Sequence, residues 1–200
     1  MFGDICNNSK GWPTESFTTH VSLTNGRAYK QNELLKQGKY RVLRVGNFFT
    51  NDSWYYSDLE LDNSKYCDNG DLLYAWSASF GPRIWDGEKV IYHYHIWKVS
   101  HDDSFNRLFL YYYLGMITYQ LKHGVHGSTM VHLTKEGMEK LVLAVPPKAL
   151  QDSFASFMEQ VDKSKINSRF AVIIIVSDYS FYRADLKTPN ISFAQVMLAI

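Results

Sequence analysis

The sequence has very little cysteine, and that scarcity excludes two kinds of scaffold. Cys6 and Cys67 are the two cysteines in 200 residues, too few and too widely separated for a disulfide framework or a zinc site. We therefore expect a reducing, cytoplasmic setting. Long apolar runs are missing as well: no stretch of about 18 apolar residues occurs, and the N-terminus does not resemble a charged and then apolar leader. Neither a membrane span nor secretion is expected.

The sequence also lacks the basic excess that nucleic-acid-binding modules usually carry, since 21 Lys and Arg stand against 20 Asp and Glu. The charge is unevenly distributed, however. The net charge is +4 in residues 1–50, −6 in 51–103, +3 in 104–148 and zero in 149–200. If the first and third segments share a face, the folded domain has a basic side for DNA and an acidic side for solvent or a partner.

Hydrophobic residues make up 46% of the chain and aromatic residues 16%, which is enough for one sizeable core with an appendage. The clearest local pattern lies in residues 127–165. Thr134 is a good N-cap for a short helix, residues 141–145 are typical of a strand, and Pro146 and Pro147 end that strand. A longer helix is expected to follow.

This last helix has an apolar stripe with alternating spacings of four and three residues, the pattern that one helix presents to a partner helix. The stripe consists of Leu150, Phe154, Phe157 and Val161. It predicts an interface with another subunit. The alternative is an ordinary amphipathic helix that packs on its own domain.

The order of short helix, strand, Pro-Pro and helix resembles the conserved region of type I restriction-modification specificity subunits. The resemblance covers roughly Phe2 to Lys165, and its most specific parts are Ser128 to Pro147 and Gln160 to Lys165. In that family this segment closes a target recognition domain and opens a spacer helix. The implied fold is α+β, with a mixed, mainly antiparallel β core and a packed helix, followed by the C-terminal spacer helix.

The resemblance also implies function and partners. It implies a non-catalytic specificity subunit that recognises double-stranded DNA, needs no cofactor or metal of its own, and works with modification (methyltransferase) subunits and, through them, restriction subunits. A homodimer of half-subunits is left open. The implied organisation is a recognition domain at residues 1–147 with a linker at 1–12, a spacer helix at 148–166 and an atypical tail at 167–200, where a β-branched run replaces the heptad pattern.

In the N-terminal half, two irregular segments carry candidate DNA contacts. A turn at residues 24–27 is followed by Arg27, Tyr29 and Lys30, whose cations and ring could reach phosphates or base edges. A strand predicted at residues 40–49 has Arg44 and Asn47 at its exit, and Asn has the donor and acceptor pair that matches adenine. A solvated loop and a turn residue are the respective alternatives.

The middle of the chain predicts two more strands. The first, at residues 74–83, ends near Arg83, a further candidate DNA contact. Asp86-Gly87 predicts a hairpin. The second strand, at residues 90–99, then places His93 and His95 on one face, where the pair could bind a metal or, more simply, pack against the sheet.

The segment beside the predicted helix at residues 105–122 is the strongest single candidate for DNA contact. Asp103 or Ser104 should cap that helix, and Lys122 should end it. A glycine-interrupted loop follows, and in the resembled family this loop lies beside the recognition surface. Its candidate contacts, with Lys122, are His123, His126, Ser128 and Thr129.

Catalytic motifs provide the competing hypotheses. The sequence around Pro146-Pro147 is not the N/D-P-P-Y/F tetrapeptide of an adenine methyltransferase, and no Gly-rich phosphate loop is recognisable. Asp178 with Asp185 and Lys187 does match the acid and acid-x-Lys pattern of metal-dependent nucleases. A small nuclease, or a truncated subunit that assembles without recognising DNA, therefore remains an alternative.

Overall fold

The computed structural model describes residues 1–49, 52–77, 80–123 and 133–167. The strands of the described part are β1 (Thr14–Ser16), β2 (Val21–Asn25), β3 (Tyr40–Leu43), β4 (Tyr55–Ser57), β5 (Tyr66–Cys67), β6 (Leu72–Ala75), β7 (Gly81–Ile84), β8 (Val90–Tyr92), β9 (Ile96–His101) and β10 (Val142–Ala144). The helices are α1 (Phe17–His20), α2 (Val45–Phe49), α3 (Arg107–His123), α4 (Lys135–Glu139) and α5 (Lys148–Asn167). In these ranges, no helix combines the length and apolar character that a bilayer crossing requires.

Two four-stranded sheets form the centre of the fold. The first has the order β2-β9-β6-β7 and is antiparallel throughout. The second has the order β4-β3-β8-β5, in which β3 and β8 are parallel and the other pairs are antiparallel. A third, two-stranded sheet pairs β1 with β10. The predicted mixed, mainly antiparallel β core with a packed helix is confirmed.

The prediction of one continuous strand at residues 90–99 is wrong, because the chain passes from the second sheet to the first within these residues. β8 ends at Tyr92 in the second sheet, and β9 begins at Ile96 in the first. The Ile96 N–H donates to the His93 carbonyl oxygen at 2.9 Å, which closes a tight turn between the strands. His93 and His95 therefore lie in a turn rather than on a strand face. Asp86-Gly87 does not make a hairpin either, since β7 pairs with β6 and β8 pairs with β3 and β5.

Two other predicted strands are shorter than expected. The strand predicted at residues 74–83 is a hairpin of β6 and β7, with Tyr74 paired to Pro82. The strand predicted at residues 40–49 ends at Leu43, and α2 follows at once. Because Val42 and Leu43 are both buried, the pleat is covered on both faces, and the helical turn then brings Phe48 into the core.

α3 covers the first sheet and is confirmed as a helix, although it begins later than predicted. Asn106, rather than Asp103 or Ser104, caps it: its Oδ1 accepts hydrogen bonds from the backbone N–H groups of Leu108 and Phe109, at 2.9 and 3.2 Å. On the sheet side, the Tyr74 hydroxyl and Thr118 Oγ1 are 2.7 Å apart. This buried bond fixes α3 over β6.

The C-terminal sequence pattern is confirmed in each of its parts. Thr134 Oγ1 accepts from the Gly137 N–H at 3.0 Å and caps α4. β10 ends just before Pro146-Pro147, and α5 begins directly after them. Gln151, which is fully buried, ties α5 to the domain because its Oε1 accepts from the Asn106 N–H and its Nε2 donates to the Ser104 and Pro146 carbonyl oxygens.

The apolar stripe of α5 is divided between the domain and the surface, which corrects the expectation that all of it faces a partner. Phe154 is fully buried, with its ring centroid 5.5 Å from Phe2 and 5.3 Å from Tyr112. Leu150 is partly buried against the same core. Phe157 is 41% exposed, and Val161, one turn further on, is partly exposed.

The N-terminal twelve residues are not a free linker, contrary to the expectation. Phe2 and Ile5 are buried in the main core, and the Phe2 ring lies 4.9 Å from Phe109 of α3. The segment is held because Asn8 exchanges hydrogen bonds with the backbone of Trp12, both at 2.8 Å. Residues 1–12 therefore pack against the main core. Of the tail predicted at residues 167–200, Asn167 is the last residue of α5, and the rest lies outside the described residues.

The ion pairs of His20 predict how the free energy of unfolding depends on pH. Its Nδ1 is 2.8 Å from Asp102 and its Nε2 3.2 Å from Glu15. The hydrogen bond to Asp102 is the main reason that the pKa of His20 is raised above 6.5. Because the folded pKa is the higher one, this contribution is fully present below the unfolded pKa and is lost as the pH rises through the folded pKa.

We therefore expect the free energy of unfolding of His20→Gln to decrease less than that of wild type as the pH rises above about 6.5. His93 and His95, whose pKa values are lowered, contribute the opposite slope. The difference between wild type and His20→Gln, measured by urea titration across the pH range, isolates His20. Parallel stability curves would contradict the prediction.

Candidate functional site

Strand ends from both sheets meet at one place. β3 and β8 are parallel, so that Leu43 and Tyr92 end together in the second sheet. In the first sheet, β9 begins at the same end at which β6 finishes. The residues that follow or join these ends are Arg44, Trp76, His93, Tyr94 and His95, and we call them the sheet-end surface.

The turn that carries this surface is held by hydrogen bonds from three neighbours. The Tyr94 N–H donates to the Arg27 carbonyl oxygen at 3.1 Å. The Tyr94 carbonyl oxygen accepts from Trp76 Nε1 at 2.9 Å and from Asn25 Nδ2 at 3.3 Å. A turn that is fixed in this way loses little conformational entropy if it binds a ligand.

Gly26 is required for the same turn. A Cβ atom at this position would lie 2.2 Å from the carbonyl oxygen of Tyr92 and 2.5 Å from that of His93. Both contacts are with backbone, which cannot move aside without displacing the turn. The glycine in the predicted Thr-Asn-Gly-Arg turn thus permits the close approach of β2 to the end of β8.

The rings of the sheet-end surface form a continuous row. The centroids of His93 and Tyr94 are 4.6 Å apart, those of Tyr94 and His95 3.9 Å, and those of His95 and Trp76 4.9 Å. Tyr94 is 37% exposed, and the other three are partly exposed. The row offers aromatic faces for stacking, together with polar groups on the same rings.

The electrostatics favour uncharged imidazoles beside one cation. Burial, and then the neighbouring His95 and Arg44, lower the pKa of His93 to about 4. Burial also lowers the pKa of His95. At neutral pH each imidazole then carries one donor and one acceptor. The Arg44 guanidinium lies 4.2 Å from the Tyr55 ring centroid. Neutral donor and acceptor groups next to a guanidinium are the chemistry that base edges and phosphates require.

Arg27 and Tyr29 support this surface rather than extend it. Arg27 Nη1 and Nη2 donate to the two carboxylate oxygens of Glu33, both at 2.8 Å, and Arg27 is the main reason that the pKa of Glu33 falls to about 2. The Arg27 guanidinium is therefore engaged in holding the segment between Arg27 and Glu33. Tyr29 is partly buried and stacks on His93 at 6.3 Å. Lys30 is exposed at the surface.

Three further predicted contacts are occupied within the fold. Asn47 is 8% exposed and its Nδ2 donates to the Ser53 carbonyl oxygen at 2.7 Å, so it cannot reach a base. Arg83 donates to the Phe48 carbonyl oxygen and to Asp86, and thereby fastens α2 to β7. Lys122 donates to the Phe80 carbonyl oxygen at 2.9 Å, although it remains exposed at the surface.

The loop predicted as the strongest contact has described residues on both sides but not within it. His126, Ser128 and Thr129 lie outside the described residues, as does the side chain of His123. Lys122, on one side, contacts the residue before β7, and Leu133, on the other, lies next to Trp76 in a common pocket. The flank at Leu133 therefore adjoins the sheet-end surface.

The expected division into a basic and an acidic face is not supported by the ion pairs. Lys39 pairs with Glu60, and Arg41 pairs with Glu88 at 3.2 Å. Both pairs join the basic first segment to the acidic middle one. Cations of residues 1–50 are thus partly neutralised in the fold, whereas Arg44 belongs to those that form no ion pair within the described ranges.

A metal site is not formed by the residues in view. The His93 and His95 rings are 4.8 Å apart, but in the part of the chain that the structure describes no cluster of three His, Cys, Asp or Glu residues could hold an ion. Asp178, Asp185 and Lys187 lie outside that part. The imidazole pair is better placed for hydrogen bonding than for metal binding.

Trp76 and Tyr94 are members of the surface that the sequence did not single out. One signal was present: ten residues from 90 to 99 are long for a strand that averages five or six, and the Tyr-His alternation in the middle contains no aliphatic residue. A break there was predictable. That the two halves enter different sheets was not, because pairing partners are distant in sequence.

Comparisons with known proteins agree with this geometry. A family model described as the type I restriction modification DNA specificity domain matches residues 19–170. Among curated proteins, the specificity subunit of the type I restriction enzyme EcoBI from Escherichia coli is 24% identical over 161 residues, which are 77% of this chain and 34% of that subunit. The chain thus spans about a third of the length of this relative.

Solved structures show the same fold. The crystal structure of the HsdS subunit from Thermoanaerobacter tengcongensis aligns with a TM-score of 0.61 at 14% identity, over 96% of this chain and 44% of that one. A structure from work on complex assembly and conformational transition of the type I R-M system has a TM-score of 0.59 at 16% identity, over 77% of this chain and 39% of that one.

Proposed function

This chain belongs to the family of type I restriction modification DNA specificity domains, and from that premise we propose that it recognises double-stranded DNA at a particular sequence. The chain acts as a specificity subunit, or as half of one, of a restriction-modification system. The sheet-end surface makes the base contacts. The observation that carries the proposal is the convergence of Arg44 and the His93–His95 turn at one end of a domain whose family is established.

The chemistry of the surface supports sequence readout over non-specific attraction. Purely electrostatic binders depend on counterion release and usually carry a clear basic excess, whereas the net charge of this chain is +1. Neutral His93 and His95, the Tyr94 hydroxyl and the Arg44 fork instead provide directed donors and acceptors. Each good bidentate contact of this kind contributes about 1 to 3 kcal/mol of discrimination. Lys30, which is exposed, completes the proposal as a phosphate contact.

We further propose that this chain does not itself methylate or cleave DNA. The work on type I complex assembly, in which a chain of the same fold was solved, supports a partnership with modification subunits and, through them, restriction subunits. The exposed part of the α5 stripe, Phe157 and Val161, is the proposed contact with a partner or with a second copy. The contacts first predicted for Leu150 and Phe154 are made within the domain instead.

Co-expression with a modification subunit of a type I restriction-modification system, followed by mapping of methylated bases, tests the proposed function. We expect methylation confined to one sequence motif, and none when this chain is omitted. The matched variant is Tyr94→Ala, which removes the most exposed ring of the sheet-end surface and should relax or abolish the motif. Motif-specific methylation that is identical with and without this chain would contradict the proposal.

A further inference from the structure

Arg44 and His93 lie side by side at the ends of two parallel strands. Leu43 of β3 is paired with Tyr92 of β8, and the His93 N–H donates to the Leu43 carbonyl oxygen at 2.9 Å. Arg44 and His93 are the next residues in the same register, and neighbouring strands run about 4.8 Å apart. Their side chains therefore start from adjacent points of the sheet-end surface.

The Arg44 guanidinium is oriented by its surroundings but keeps two donor groups free. Its Cζ lies 4.2 Å from the centroid of the Tyr55 ring, and its Nε is buried. Among the described residues, Nη1 and Nη2 have no hydrogen-bond or ion-pair partner, and neither nitrogen is buried. A guanidinium is planar and rigid, so these two nitrogens form an accessible pair of donors at a fixed spacing.

His93 presents a further donor beside this pair. Its Nδ1 accepts a long hydrogen bond, at 3.5 Å, from the His95 backbone N–H, and burial lowers its pKa to about 4. A neutral imidazole that accepts at Nδ1 carries its proton on Nε2. Within the described ranges this Nε2–H group has no partner and is not buried. Arg44 and His93 together therefore offer donors to a ligand.

The four bases differ in how well they match this set of donors. In the major groove, guanine presents two acceptors, N7 and O6, to which one arginine can donate at the same time. Adenine presents one acceptor beside an amino donor, thymine one acceptor beside a methyl group, and cytosine an amino donor. Because the Arg44 guanidinium has no acceptor atom, guanine is the base that satisfies both of its free nitrogens.

A phosphate would also accept from Arg44, but the neighbouring groups favour a base edge. Burial lowers the pKa values of His93 and His95, so both imidazoles are neutral at pH 7. Arg27, which is bridged to His93, is already engaged by both carboxylate oxygens of Glu33. In its described part, this surface thus offers a directed pair of donors rather than a cluster of positive charges.

We propose that Arg44 is a specificity-determining residue that recognises a guanine of the target sequence in the major groove. Nη1 and Nη2 donate to N7 and O6 of that guanine, and the Tyr55 ring holds the guanidinium in place. Adenine at the same position would lose one of the two bonds and leave its amino group facing a donor. The inference rests on the proposed function and adds the identity of one base that the sheet-end surface recognises.

Base analogues test the contact with the wild-type chain, so that no folding defect can affect the result. The probe is a duplex that the full chain enriches from a random pool. We expect one guanine of its motif to tolerate inosine, which keeps both N7 and O6. At the same position 7-deazaguanine, which lacks N7, should lower the affinity about tenfold.

The Arg44→Gln variant tests whether Arg44 makes this contact. It should bind the unmodified duplex about tenfold more weakly, and 7-deazaguanine at the sensitive position should then change its affinity about twofold at most. Arg41→Gln is the matched control, because Arg41 lies on the same strand but pairs with Glu88. This control should keep the full sensitivity to 7-deazaguanine.

Three results would overturn the inference and leave the proposed function standing. They are a motif without a sensitive guanine, an Arg44→Gln variant that keeps the full sensitivity to 7-deazaguanine, and an Arg44→Gln variant with an unchanged motif and a salt slope lower by about one, as the loss of a phosphate contact would give. Enrichment of no motif by wild type would instead overturn the proposed function, and the guanine contact with it.

Discussion

Replacing Phe154 with Asp should leave no folded protein, whereas the same change at Phe157, three residues further along α5, should leave the domain intact. Phe154 is fully buried against Phe2 and Tyr112. Loss of a buried Phe ring costs about 3 to 5 kcal/mol, and the buried carboxylate adds to that cost. A domain with about 5 to 15 kcal/mol of total stability cannot absorb both. Circular dichroism and thermal melting measure the result.

The Phe157→Asp variant tests the assembly with a partner subunit separately from the folding of the domain. Its ring is 41% exposed, so the substitution should change the free energy of unfolding by about 0.5 kcal/mol or less. If Phe157 meets a partner subunit, co-purification with the modification subunit should be lost although the chain is folded. A folded Phe154→Asp variant would show that the core assignment is wrong. Unchanged assembly of Phe157→Asp would remove this face of α5 from the interface.

Arg44→Ala should weaken binding to the cognate duplex about 10- to 100-fold if its guanidinium contacts a base, in line with the 1 to 3 kcal/mol typical of such contacts. Arg44 stands beside His93 and over the Tyr55 ring. The slope of log affinity against log salt concentration distinguishes two kinds of contact. It should fall by about one if Arg44 meets a phosphate, and stay unchanged with relaxed sequence preference if it meets a base.

Arg41→Ala is the control for this measurement. Arg41 lies on the same strand, β3, but pairs with Glu88 and contacts the Trp54 ring away from the sheet-end surface. Its loss should change affinity about twofold at most, as expected for a screened surface ion pair. Equal losses at Arg41 and Arg44 would mean that binding follows overall charge, and the sheet-end surface would then have no special role.

The C-terminal third of the fold could be predicted from local sequence because its signals are local. Thr134 as a cap, the β-branched strand and Pro146-Pro147 each act within a few residues, and the structure has all three as expected. The heptad stripe was ambiguous for a physical reason. The same spacing brings Phe154 to the domain's own core and Phe157 to the surface, and only the tertiary fold decides where the boundary falls.

The candidate site was less predictable because it depends on contacts between distant segments. Arg27, Arg83 and Lys122 are basic and lie near loops or chain turns, which made them reasonable candidates. Each is nevertheless held by a partner within the fold: Glu33 for Arg27, the Phe48 carbonyl oxygen and Asp86 for Arg83, and the Phe80 carbonyl oxygen for Lys122. The pairing of β3 with β8, which brings Arg44 to His93, spans about fifty residues and has no local sequence signal.

Selection from a random pool of duplexes tests most directly whether the sheet-end surface recognises DNA sequence. Wild type and the double variant His93→Ala, His95→Ala should be compared at equal salt, with melting curves to show that both are folded. We expect wild type to enrich one motif, and the double variant to lose preference at one or more positions of it while still binding DNA non-specifically. Enrichment of no motif by wild type, or of the same motif by both proteins, would contradict the account.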